Sequence, residues 1–300
     1  MENKYLAIAA LILSLFIPVA PSLAADCGNG PGGFSAWLKR FKQSAQAEGI
    51  SQKTLNSALG GVSYSALVIQ RDRNQHSMKL SFEAFYKRRV SNAMIKQGRN
   101  WIASNKSLAE RIEKRFGVPI EVPVSIWGME THYGSFKGEM LPIFTSLATL
   151  AYDCRRSDFF RRNLLSALRI VQRGDMRPSQ MRGAWAGEIG QTQFMAEAYY
   201  KYAVDFDGNG RRDLINSPAD VLASTANYLK GYGWKRGGSW QPGSHNYGVL
   251  KEWNKAGVYV KAIAKMAQTM ASGKPLGGGK STSGQGRNSG SGNSSGYQFH

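Results

Sequence analysis

Acidic residues are scarce in this chain. Its 300 residues hold 20 Asp and Glu against 39 Lys and Arg, a formal net charge of +19. So basic a protein is drawn to polyanions: DNA, anionic lipid or the acidic cell wall. No nucleic-acid motif of fixed geometry is present. Long apolar runs are missing too, with one exception at Leu6–Ala20, which falls short of the roughly 20 residues a membrane span requires. With Lys4 before it and the small residues of Pro21–Ala25 after it, it reads as a signal peptide over 1–25, cleaved near Ala24 or Ala25. Asp26 stands just before Cys27, where a lipobox wants a small residue, so a lipid anchor is not expected. The mature protein is expected to be soluble, periplasmic and without a transmembrane segment, which makes DNA the weakest of the three partners. Cysteine is nearly absent. Only Cys27 and Cys154 occur, and in an oxidising compartment an even count fits one bridge. It would tie the new N-terminus to the body of the domain. Strand alternation is scarce as well, apart from short candidates around 62–69.

Helical periodicity is plentiful. After a Gly/Pro spacer at 26–33, Phe34, Trp37, Leu38, Phe41 and Ala45 fall on one helical face. Ile50, Leu55 and Leu59 predict a short second helix, stopped by Gly60-Gly61. Residues 62–80 read as irregular. Further helices are expected over Phe82–Trp101, Ser107–Phe116, Glu121–Thr131, from Phe144 past Leu150, and from Phe159 to Val171. Others are expected over Gln191–Ala203, Pro218–Leu229 and Ala256–Thr269. One mainly α domain over 34–271 follows, with a smaller lobe packed on it. From Ser272 to residue 300 the chain is Gly/Ser-rich and is expected to be a disordered tail.

Two segments carry chemistry. Pro123 suits a first helical turn, so Ile126 and Glu130 share one face of the helix over 121–131. Glu130 then follows apolar side chains onto a buried surface. Carboxylates are rarely buried unless paired or functional, and desolvation would hold the proton on Glu130 near neutral pH, as a proton donor to a glycosidic oxygen requires. The second segment is Gly187-Glu188-Ile189-Gly190-Gln191-Thr192-Gln193-Phe194-Met195, a glycine-rich turn expected to open a helix. Gln193 offers a donor and an acceptor for sugar hydroxyls or acetamides.

The run Ile126-Trp127-Gly128-Met129-Glu130-Thr131-His132-Tyr133-Gly134 resembles the catalytic motif of the lytic murein transglycosylase B family. Asp153 through Phe160 resembles the segment that follows it, Gly187 through Met195 the family's glycine–glutamine block, and Asp205 through Asp213 its acidic loop. The four blocks arrive in the family's order, and the similarity runs from about Phe34 to Ala267. The resemblance implies a lysozyme-like α-rich domain with a smaller α/β lobe, and Glu130 as the sole catalytic acid/base. It implies Arg155, Arg156, Gln193 and Tyr133 as substrate-binding residues, together with Asn254 and Tyr259. The implied partner is the peptidoglycan glycan strand, with proteins of an envelope complex besides, and no cofactor is implied for the chemistry. The implied reaction cuts the MurNAc–GlcNAc bond and leaves a 1,6-anhydromuramoyl end. Three departures stand out. Ala184 occupies the place of a serine that neighbours the catalytic carboxylate, Ala196 and Glu197 follow Met195 where the family usually has Pro-Ser, and Glu188 stands where a small residue is common.

Asp205, Asp207, Asn209 and Asp213 fall at positions 1, 3, 5 and 9 of an EF-hand-like loop. Gly210 is at position 6 and the Arg211 carbonyl at position 7. Asn216 stands at position 12, where an EF-hand has a bidentate Glu, so a weak, structural calcium site is expected. Two other readings remain at this point: a hydrolytic muramidase, which needs a second carboxylate to hold water, and a non-catalytic wall-binding or assembly protein.

Overall fold

The structure is a computed structural model and describes residues 27–74, 80–135, 140–274 and 276. The expected signal peptide and most of the Gly/Ser tail lie outside these residues.

The first helices follow their apolar spacing. In α1 (Phe34–Ala47) the buried residues are Phe34, Trp37, Leu38, Phe41 and Ala45, the face expected. Serines then punctuate the chain. Ser51 caps α2 (Gln52–Leu59), Ser65 caps α3 (Ala66–Arg73), Ser81 caps α4 (Phe82–Arg89) and Ser91 caps α5 (Asn92–Ser104). Each hydroxyl accepts a backbone N–H that the helix itself leaves unpaired. Two expectations fall here. Residues 66–73 are helical, neither irregular nor strand. The helix expected over 82–101 is two helices, because Val90 is extended and Ser91 starts a new one.

Helix α6 (Lys106–Phe116) ends at Gly117, whose φ is 74°. Helix α7 (Glu121–Thr131) is the centre of the domain. Every residue from Val122 to Thr131 is buried, with α5, α11 and α13 packed around it. Helices α8 (Ile143–Tyr152) and α9 (Ser157–Arg173) pack on each other. The helix expected over Gln191–Ala203 is confined to α10 (Ala196–Tyr202). Before it the chain makes a tight bend, in which Ile189 and Phe194 exchange backbone hydrogen bonds of 2.7 and 2.9 Å. Gly190 makes the bend possible, because its φ is 75° and a Cβ there would lie 2.4 Å from the Leu214 carbonyl. Then come α11 (Pro218–Gly231), α12 (His245–Trp253), which the periodicity did not disclose, and α13 (Gly257–Ala271).

Among the described residues the sheet is one antiparallel pair, β1 (Leu141–Pro142) with β2 (Arg182–Gly183). That pair and the isolated bridge of the 189–194 bend are the β structure among the described residues, in place of the smaller α/β lobe expected. Cys27 and Cys154 form a disulfide, with Cα atoms 5.0 Å apart, so the N-terminal spacer is tied to the loop between α8 and α9. No described helix is long and apolar enough to cross a membrane.

Candidate active site

Glu130 is the penultimate residue of α7. Past the helix the backbone turns back through three consecutive left-handed residues, His132 (φ 49°), Tyr133 (φ 58°) and Gly134 (φ 78°). Non-glycine residues in that region cost about 1–3 kcal/mol and cluster at functional sites. What holds the turn is packing. The Tyr133 hydroxyl donates to the Met94 carbonyl at 2.7 Å, and its ring meets Trp127 edge-on at 5.3 Å. Gly128 makes the room, since a Cβ there would come within 2.8 Å of Tyr133 Cζ. Tyr133, expected to bind substrate, is thus wedged between α5 and α7.

The Glu130 side chain is 8% exposed. Trp253, the last residue of α12, donates its indole N–H to Glu130 Oε1 at 3.2 Å. Tyr259 of α13 brings its hydroxyl beside the carboxyl, and Arg89, at the end of α4, lies near both. Arg89 also donates to the Met129 carbonyl at 2.9 Å. Burial pushes the Glu130 carboxyl up to about 7, against the hydrogen-bonding influence of Tyr259 and Trp253 and the charge of Arg89. At neutral pH a large share of the molecules therefore carry the proton. Burial, together with the Glu130 charge, keeps the Tyr259 phenol well above its ordinary range, so it remains protonated.

The 187–194 bend is fastened to α7 by Gln191. Trp127 donates to Gln191 Oε1 at 2.7 Å, Thr131 donates to the Gln191 carbonyl at 2.6 Å, and Gln191 Nε2 donates to the Ile215 carbonyl at 2.7 Å. Gln193 is half-buried at φ 55°, and its amide donates to the Gly190 carbonyl at 2.7 Å, which orients the side chain within the bend. Phe194 packs edge-on against Trp253 at 5.2 Å. Bend, α7 and α12 are therefore one packed unit around Glu130. Glu188, on the same bend, is 2% exposed, and its Oε2 has no hydrogen-bond partner among the described residues.

Arg155 and Arg156 converge on a residue the sequence did not point to. Both donate to Asp72 Oδ1 of α3, at 2.5 and 2.8 Å. Arg73 pairs with Asp72 as well, and with Asp153 at 2.6 Å. Asp72 is 1% exposed. Burial alone would raise its carboxyl, but the two arginines outweigh it and hold it below the usual range. Arg156 also lies over the Phe160 ring, 4.9 Å from its centroid. Asn254 is buried at the C-terminal end of α12, and its Oδ1 accepts from Ala256 N at 2.9 Å in the turn that leads into α13.

In the acidic loop Asp205 accepts backbone N–H groups from Gly208, Asn209 and Gly210, and Asn209 accepts that of Arg211. Asp213 accepts from the backbone of Ile215 and Asn216, and the Asn216 amide is turned back onto it at 2.9 Å. The third carboxylate that gathers with Asp205 and Asp207 is Asp220, their ligand atoms all lying within 4.8 Å of one another. Asp220 is fully buried on α11, beyond the end of the twelve-residue spacing.

Residues 33–245 match the Transglycosylase SLT domain family. The chain belongs to that family. Over 123 residues it is 39% identical to the membrane-bound lytic murein transglycosylase B of Escherichia coli, a match covering 41% of this chain and 34% of that protein. Its fold superposes on SltB3 of Pseudomonas aeruginosa, solved in complex with NAG-anhNAM-pentapeptide, with a TM-score of 0.74 at 31% identity over 79% of each chain. The E. coli lytic transglycosylase Slt35, solved in complex with calcium, shares the fold with a TM-score of 0.68 at 23% identity, over 78% of this chain and 92% of that one. The expectation of a mainly α, lysozyme-like helical domain holds.

Proposed function

We propose that this chain is a peptidoglycan lytic transglycosylase in which Glu130 is the acid and then the base. The observation that carries the reading is the buried Glu130 carboxyl, pushed up to about 7 at the end of the helix in the family's motif and hydrogen-bonded by the Trp253 indole. Protonated Glu130 gives its proton to the oxygen between N-acetylmuramic acid and N-acetylglucosamine as the C1–O bond breaks. The ionised carboxylate then takes the proton of the muramoyl C6 hydroxyl, whose oxygen closes onto C1. The anhydro ring forms, Glu130 is protonated again, and no water is consumed. Trp253, Tyr259 and Arg89 suit the ionised half of this cycle, since all three favour the carboxylate. In this reading Arg155 and Arg156, steered by Asp72, meet the carboxylates of the peptide stems, and Gln193 and Asn254 lie along the glycan path.

The disulfide supports export to an oxidising compartment, and the periplasm is the compartment that holds the proposed substrate. The acidic loop fits a weak structural calcium site with Asp205, Asp207 and Asp220 as its carboxylates. Such an ion would neutralise their mutual repulsion and steady the loop, with no part in bond cleavage. A hydrolytic reading has one observation in its favour, the second buried carboxyl of Glu188. Digestion of purified sacculi separates the two: anhydromuramoyl ends by mass support the transglycosylase, and reducing ends alone support the hydrolase.

A further inference from the structure

We infer that Glu188 is a positioning residue for Glu130: a second carboxyl, sealed into the 187–194 bend, whose negative charge keeps the proton on Glu130. The inference rests on the reading of Glu130 as the acid.

Three features of the fold lead to it. First, the bend is rigid. A Cβ on Gly183 would sit 1.8 Å from the Glu188 carbonyl oxygen, so the backbone at Glu188 lies flush against β2. Its neighbour Ile189 is locked to Phe194. Second, the same bend is bolted to the Glu130 end of α7 through Gln191, Trp127 and Thr131, and Phe194 packs on the Trp253 that donates to Glu130. The bend that carries Glu188 and the helix end that carries Glu130 are therefore held together on both sides. Third, Glu188 Oε2 is buried and has no hydrogen-bond partner among the described residues. A buried polar atom left without a partner is a cost that ordinary packing removes, and a small residue at this position would have removed it.

The surroundings define what the charge can do. The groups acting on Glu188 are its own backbone N–H and that of Ala186, Glu130 from α7 and Arg156 from the start of α9. Those around Glu130 are Tyr259 from α13, Trp253 from α12 and Arg89 from α4. Burial comes first among the causes that push the Glu188 carboxyl up to about 7, and the charge of Glu130 adds to it. Two carboxyls in one poorly solvated site do not both ionise readily. Once Glu188 is ionised, loss of the proton from Glu130 becomes harder. The sign does not depend on which group ionises first: at any pH the repulsion can only increase the fraction of Glu130 that is protonated. Arg156 has a place in the same arrangement. Shared between Asp72 and the neighbourhood of Glu188, it favours ionisation of Glu188 over that of Glu130.

The test uses the full chain with E188Q and E188A. Initial rates of sacculus digestion are measured against pH, and the Glu130 carboxyl carbon is titrated by ¹³C NMR, its signal assigned by its loss in E130Q. If two such groups interact by about 1–2 pK units, the Glu130 midpoint and the alkaline limb of the rate profile should both fall by about 0.5–1 pH unit in each variant. Superimposable midpoints in wild type and both variants overturn the inference. So does a rate reduced equally at every pH with an unmoved NMR midpoint, which would make Glu188 a packing residue, and so does the selective loss of reducing ends in E188Q, which would make it a base for water. Failure of the Glu130 assignment is read separately: an E130Q protein that still cleaves sacculi removes the acid while leaving the NMR coupling to be measured.

Discussion

The indole N–H of Trp253 and Oε1 of Glu130 lie 3.2 Å apart, a contact between residues 123 positions apart in the chain. It joins the end of α12 to the end of α7. A donor to the charged form favours that form, so Trp253→Phe should raise the Glu130 pKa. A hydrogen bond of about 1 kcal/mol corresponds to roughly 0.5–1 unit. The alkaline limb of the pH–rate profile should therefore move upward, opposite to its movement in E188Q. A downward or absent shift in a folded W253F protein would detach the indole from the protonation of Glu130.

The arginine pair holds the buried Asp72 in addition to the substrate role proposed for it. R155A/R156A removes two of the arginines that pair with the buried Asp72, and breaking a buried ion pair costs about 3–5 kcal/mol. The melting temperature should fall, and adding D72N should restore much of it. Binding to sacculi in a pelleting assay should stay weak in the triple variant, and weaker than in R211A/R212A. If D72N restores binding along with stability, the two arginines act through folding alone.

Calcium should raise the melting temperature of chelator-treated protein. Asp205→Ala and Asp220→Ala should abolish the rise, whereas Asn216→Ala should leave it, because the Asn216 amide is already turned onto Asp213. A wild-type melting curve unmoved by millimolar calcium would make the loop a hydrogen-bonded turn.

What the sequence disclosed is what short-range periodicity encodes. Helices α1, α6 and α9 carry a clear apolar stripe and, in the last two, a glycine stop. Helix α3 does not, since only Val68 and Asp72 of its eight residues are buried, and a stripe that includes an aspartate is invisible until the arginines that neutralise it are in place. The break at Ser91 was hidden because apolar residues continue on both sides of it. Helix α12 buries Asn246 with Val249, Leu250 and Trp253, too mixed a face to stand out. In the site, Glu130 was legible from its motif and Cys27–Cys154 from a count of two. Trp253, Arg89 and Asp72 reach the site from distant segments, so no local pattern could announce them. Gln193 was singled out for its amide, yet it is Gln191 whose side chain clamps the bend to α7. Asp220 escaped because the ligand spacing was read within twelve residues, while the fold returns the next helix to the loop.

The most direct measurement is muropeptide release from purified sacculi by wild-type and E130Q protein, with products resolved by mass. The wild type should release fragments ending in 1,6-anhydromuramic acid. E130Q should fold, bind sacculi and lose cleavage by at least about 10²–10⁴-fold, as the loss of a positioned acid/base group implies. Wild-type-like release of anhydromuropeptides by a folded E130Q protein would contradict the account.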